Sequence, residues 1–176
     1  MWNRVLKTGI DNWSKDIILN IVMKKNLIKK ILEKAEISLN VDVKEKFQII
    51  NELVKTLKVD KDKEEMLINA VIQREKIGST GIGNGIAIPH TRSLVIKELM
   101  VAIGRLTKPI NFGAQDKKKV NLVFLLVAPP YAYKREYLIL LGKIAEAFNE
   151  ISTDEKLFSV DNEEDFKAEL SKLFGV

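Results

Sequence analysis

The chain has 176 residues, 46% of them hydrophobic and 30% charged, with a formal net charge of +5. That length suits one domain with a substantial core and a small appendage. With no cysteine and a single histidine, it excludes disulfides, thiol nucleophiles, cysteine-based metal centres and any multi-histidine metal site within one chain.

The N-terminus shows no secretory pattern, because Asp11, Lys15 and Asp16 interrupt it. No apolar run reaches the roughly 20 residues that span a bilayer. A cytoplasmic protein is expected, without cofactor or metal. Lysine and arginine are spread along the whole chain with no aromatic-plus-basic motif, so nucleic acid is not an expected partner.

In chain order, Ile17, Ile18, Ile21 and Val22 share one helical face. Ser14 is placed to cap that helix, with Trp13 stapled against Ile18. Lys24, Lys25, Lys29 and Lys30 follow. A basic amphipathic helix of this kind can lie on a membrane, but docking on its own domain or on a protein partner is the plainer reading. A boundary is drawn at Asn26, giving a helical N-terminal extension over 1–26 and a domain over 27–176.

Val43, Phe47, Ile50, Val54 and Leu57 form an apolar stripe opened by Asp42 and Glu45 as a capping box. A charged turn, Asp60-Lys61-Asp62-Lys63, ends that helix. A second helix carries Met66, Leu67, Ala70 and Val71 inward and runs to Arg74-Glu75. A glycine-rich loop, 78–85, then feeds the apolar segment Ile86-Ala87-Ile88, which stops at Pro89-His90.

Leu99 to Leu106 reads as a strand, and Lys108 to Gly113 as a turn. Val120 to Ala128 is an almost unbroken apolar run, expected as a central strand buried on both faces. After Pro129-Pro130 a long helix is expected to bury Leu138, Leu141, Ile144, Ala145 and Phe148. Ser152 with Glu155, and Asp161 with Glu164, read as capping boxes of two short terminal helices. The alternation predicts an α/β protein, with a mixed central sheet flanked by helices in a single domain.

Chemistry concentrates between Arg74 and His90. Gly81, Gly83 and Gly85 lack dinucleotide-fingerprint spacing, and no Gly-Lys-Ser/Thr closes a P-loop. The glycines can bring backbone N–H groups close to an anion. A neutral imidazole can attack phosphorus and later leave, which suits a reversible phosphoryl relay. The transferring group needs fixed donors around its oxygens. Arg74, Thr80, the N–H groups of Gly81, Gly83 and Gly85, and Arg92 are the candidates.

The segment Arg74-Glu75 … Ser79-Thr80-Gly81-x-Gly83-x-Gly85-Ile86-Ala87-Ile88-Pro89-His90 resembles the active-site signature of enzyme IIA domains of the fructose, mannitol and nitrogen-regulatory type. These belong to the bacterial phosphoenolpyruvate-dependent phosphotransferase system. Lys108–Ala114 and Val120–Leu126 resemble the same family's later strand region. The resemblance implies a phosphohistidine on Nε2 of His90, Arg74 facing the phosphate, and the phosphocarrier protein HPr as donor. It also implies an acceptor on another chain: a IIB protein in sugar transport, or a regulatory target as in nitrogen-type members. Many members carry a second histidine early in the helix after the central strand; Tyr137 stands there in this chain.

Overall fold

The computed structural model of the protein describes residues 21–130 and 134–176. The cap expected at Ser14 and the Trp13–Ile18 staple lie outside these residues. Helix α1 covers 21–34, so the boundary expected at Asn26 falls inside a continuous helix. The elements that follow are β1 (Glu36–Val41), α2 (Lys46–Thr56), α3 (Lys61–Ile77), β2 (Gly81–Gly83), β3 (Ile86–Ala87), β4 (His90–Arg92) and β5 (Met100–Ile110). The chain closes with β6 (Val120–Ala128), α4 (Lys134–Thr153), α5 (Glu155–Ser159) and α6 (Glu163–Leu173).

The six strands form one mixed sheet in the order β1-β5-β6-β3-β2, with β4 also on β6. The apolar run 120–128 is its central strand, as its composition predicts. It pairs antiparallel to β5 and parallel to both β3 and β4. Side chains of β6 alternate between two cores. Leu122, Phe124, Leu126 and Ala128 meet Ile28 and Leu32 of α1, Leu140 and Ile144 of α4, and Phe166 of α6. Val123, Leu125 and Val127 meet Ile49 and Leu53 of α2, and Leu67 and Val71 of α3. Helices on both faces explain why β6 shows no polar alternation.

Several local expectations shift. Strand β1, parallel to β5, was not anticipated. Helix α2 starts at Lys46: the Gln48 side chain accepts the N–H groups of Lys44 and Glu45 at 2.9 and 3.0 Å, so Asp42 is not its cap. The expected charged turn is the start of α3, where the Asp60 carbonyl accepts from Lys63 and Glu64. Met66 faces water, and the buried positions are Leu67, Val71 and Glu75. Strand β5 continues through Pro109, whose missing N–H falls in a break of register between Arg105 and Ile110.

Helix α4 buries Tyr137, Leu140, Ile144, Ala147 and Ile151, while Leu138 and Ala145 are exposed. Ile144 is buried as expected and Leu141 packs against the same core, so the expectation fails at Leu138 and Ala145, where apolar residues on both sides of the helix make periodicity ambiguous; the side chain of Phe148 lies outside the described residues. The terminal helices are capped by Asp154 and Asn162, which accept from Leu157 and Asp165 N–H; Ser152 and Asp161 are not the caps. No helix among the described residues is long and apolar enough to cross a membrane.

Helix α2 sits directly on the sheet at Gly104. A Cβ there would lie 3.0 Å from Leu53 Cδ2 and 3.1 Å from Ile49 Cδ1. Gly104→Ala should therefore lift α2 and cost about 1–3 kcal/mol, read as a lower urea midpoint at unchanged slope.

Candidate functional site

Three elements meet at the C-terminal end of β6: the end of α3, strand β4 and the start of α4. His90 stands opposite Leu126 in the parallel β4–β6 pair. Pro89 precedes it; the Pro89 carbonyl accepts from Leu126 N–H at 3.0 Å, so the chain stays on β6 across the proline. Residues 90 and 92 point to one side of the strand, as strand periodicity requires.

The ring of His90 is half-buried, and its Nδ1 lies 2.7 Å from the carbonyl oxygen of Ile88. A carbonyl can only accept, so Nδ1 carries the proton. In the neutral ring Nε2 then holds the free lone pair. Burial pulls the imidazole below its ordinary pKa, and the Arg74 charge acts in the same direction; the Ile88 carbonyl and Glu75 oppose them. The ring is thus biased towards the neutral, nucleophilic form.

Arg74, on the last turn of α3, donates from Nη1 to the Gly78 carbonyl at 3.0 Å. Arg92 donates from Nη1 to the Pro130 carbonyl at 2.8 Å. Its guanidinium lies 4.9 Å from the ring centre of Tyr137. Tyr137 in turn presents its ring to His90 at a centroid distance of 6.2 Å, edge to face. The Tyr137 hydroxyl is pushed up from its ordinary pKa by burial, opposed by Arg92 and Arg74. Of the residues singled out in the sequence, Tyr137 stands between His90 and Arg92, and the Arg74 charge bears on both the His90 and the Tyr137 rings.

Thr80 takes a different place. Its N–H and hydroxyl both donate to Glu75 Oε2, at 3.0 and 2.6 Å, and it is 5% exposed. The three glycines lie along the β2–β3 hairpin. Asn84 and Gly85, with φ of 47° and 81°, form its two-residue turn. Ile86 stands opposite Leu122, four positions along β6 from the partner of His90, or about 13 Å at the rise of a strand. Gly81 packs on Ala114, and Gly83 and Gly85 face Asp116 and Asn121. The positive φ of Gly83 and Gly85 shapes the hairpin, whereas Gly81 pairs with Ala87 at its end nearer the imidazole.

Two residues of the site were missed. Glu75 has a side chain with no exposure and pairs with Lys46 at 3.0 Å. The sequence did carry a signal for it: positions 67, 71 and 75 fall on one helical stripe, so a carboxylate continues a buried apolar row. Nothing in the sequence marked Lys46.

The family model for the phosphoenolpyruvate-dependent sugar phosphotransferase system, EIIA 2, matches residues 30–173. The chain belongs to this family. A nitrogen regulatory protein of Bradyrhizobium diazoefficiens is 34% identical over 116 residues, covering 65% of this chain and 75% of the relative. The fructose-specific EIIABC component of Bacillus subtilis is 36% identical over 103 residues, which is 57% of this chain and 16% of that much longer protein. Among solved structures, the nitrogen regulatory protein IIA-Ntr of Neisseria meningitidis superposes with a TM-score of 0.69 at 31% identity, covering 84% of this chain and 99% of that one. The mannitol IIA of Escherichia coli shares the fold, with a TM-score of 0.61 at 19% identity and coverage of 79% and 95%. The EIIA 2 fold thus frames His90, on the sheet end just described.

Two outcomes are expected of this geometry. The single histidine gives one pair of imidazole C–H signals in proton NMR, which titrate together. Their midpoint should fall below the ordinary value of about 6.5. Since the unfolded chain then binds a proton that the folded chain does not, stability should drop as pH falls from about 6.5 to the folded midpoint and level off below it. Gly85→Ala should cost about 1–2 kcal/mol, from its positive φ and from a Cβ 2.7 Å from Asn121 Oδ1. The same substitution should leave the His90 signal where it was, because the turn is remote from the ring.

Proposed function

We propose that this chain is a phosphoryl carrier that takes a phosphoryl group from phospho-HPr on His90 Nε2 and passes it to another protein. The observation that carries this reading is the Nδ1–Ile88 bond, which fixes the proton on one ring nitrogen and presents the other as nucleophile. In uptake, Nε2 forms a bond to phosphorus as the P–N bond of the donor's phosphohistidine breaks. No proton need move at Nδ1, and the donor imidazole leaves as the free base. Onward transfer reverses this at Nε2, to an acceptor on another chain.

Arg74 supplies a planar fork for the equatorial oxygens, a pairing that tightens as charge develops. Arg92, over the ring of Tyr137, is a second cation at this end of the sheet. Tyr137 occupies the place of a second histidine: it packs against His90 and backs the Arg92 guanidinium, and it contributes a hydroxyl in place of a titrating imidazole. Thr80 and Gly81, Gly83 and Gly85 act through the shape of the loop. We assign residues 1–26 to an extension outside the carrier domain, which needs no cofactor and meets its partners in the cytoplasm.

Nitrogen regulatory proteins recur among the relatives, which favours a regulatory carrier whose phosphorylation state is the signal. The fructose-specific relative at 36% identity supports the second reading, a sugar-transport component that donates to a IIB protein.

Incubation with phosphoenolpyruvate, enzyme I and HPr should add one acid-labile phosphoryl group, seen as one mass increment in the intact protein at neutral pH. His90→Ala should abolish it and remain folded. Arg74→Lys, which keeps the charge and loses the fork, should slow uptake by roughly tenfold. Undiminished labelling of His90→Ala removes the assignment. Transfer onward to a IIB protein, or its absence across a IIB panel, separates transport from regulation.

A further inference from the structure

Carboxylate Glu75 lies 2% exposed between α2, α3 and the hairpin. An ionised carboxylate is an acceptor only, and it needs donors when buried. Three converge here. Lys46 Nζ reaches Oε1 at 3.0 Å, and the Thr80 N–H and hydroxyl both reach Oε2. The same short segment is held from its other side. Ser79 Oγ donates to the Phe112 carbonyl at 2.8 Å and accepts from Gly81 N–H at 3.1 Å. Residues 78–81 are therefore clamped from both ends.

Two lines of contact run from that clamp to the reacting groups. Along one, the Gly78 carbonyl next to the clamped Ser79 holds Arg74 Nη1. Along the other, the Thr80 carbonyl accepts from Ile88 N–H at 2.9 Å, and the Ile88 carbonyl holds His90 Nδ1. We propose that Glu75 is the positioning residue of the site. Through Thr80 it sets both the carbonyl that aims Arg74 and the carbonyl that fixes the tautomer of His90. The kinetic half of this inference rests on the carrier reading above; the tautomer half does not.

The substitution that tests it is Glu75→Gln. The amide keeps size and shape, but its NH2 group must face one of the three donors, so the clamp loses a bond. Nitrogen-15 shifts of the single imidazole report the proton on Nδ1 and Nε2 separately, in the protein alone. The wild type should show the Nδ1–H form, and folded Glu75→Gln a mixture of the two. A folded variant with the wild-type tautomer overturns the proposal, whatever any partner does.

With phospho-HPr as donor, Glu75→Gln should lower kcat by roughly tenfold or more at unchanged KM, the signature of misplaced rather than lost groups. Combining it with Arg74→Lys should slow transfer little beyond the slower single variant, since both act on one guanidinium. A rise in KM alone would make Glu75 part of the docking surface and overturn its positioning role. If Glu75→Gln does not fold, Thr80→Val removes the hydroxyl donor while keeping a β-branched shape, and Thr80→Ser restores it. Loss of the tautomer with valine and its rescue with serine support the proposal; equal behaviour of the two overturns it. Should the wild type take up no phosphoryl group, the carrier reading fails, and the tautomer measurement still decides the role of Glu75.

Discussion

Everything in this fold hangs on β6 being covered on both faces. A strand buried on two sides cannot leave ladder bonds unmade, so it must be paired along both edges. One edge takes the long antiparallel β5. The other takes two short parallel pieces, β3 and β4, joined through Ile88 and Pro89. Proline has no N–H for the ladder, and its carbonyl keeps the register by accepting from Leu126. His90 is the first residue after that interruption. The imidazole thus stands on a short strand, β4, paired to the most buried strand of the protein, where the sheet ends and helices α3 and α4 approach.

The electrostatics follow from that place. Half-burial disfavours a charged ring, and the neighbouring arginine disfavours it further. A cation beside a ring held towards its neutral form leaves this end of the sheet locally positive. Arg92, laid over Tyr137, keeps a second positive charge close by without contacting the ring nitrogen that carries the proton. Among the described residues, the carboxylate whose charge bears on His90 is Glu75, and it is drawn inward by Lys46 and the Thr80 donors. Its charge is thus met on the inner side of α3.

Much of this was legible in the sequence, and the exceptions have physical reasons. The apolar run 120–128 had no other reading than a doubly covered strand, and the mixed sheet flanked by helices followed from it. The order of residues around Pro89-His90 placed the histidine at a strand end. What could not be read was the partner of each polar group. Thr80 looked like a donor awaiting a ligand, because a sequence shows a hydroxyl and not the carboxylate that takes it five residues earlier. The glycines looked like an anion cradle, although Asn84-Gly85 between short apolar pieces is a hairpin signal in its own right. On helix α4, Ile144 could be placed inward from its spacing, but Leu138 and Ala145 could not be told from outward positions because apolar residues flank both candidate faces. Strand β1, at the sheet edge with a single strongly buried residue, Ile37, gave too little alternation to stand out.

Helix α1 runs without a break through residue 26 and is anchored near its far end by Ile28 and Leu32. A helix of this kind transmits direction as well as connection. A flexible linker would let whatever precedes it wander through a sphere. A rod seated on the sheet instead keeps residues 21–34 in one line over the β6 core, advancing 1.5 Å per residue. A bend anywhere along residues 21–34 would therefore be felt at Ile28 and Leu32, and through them at β6.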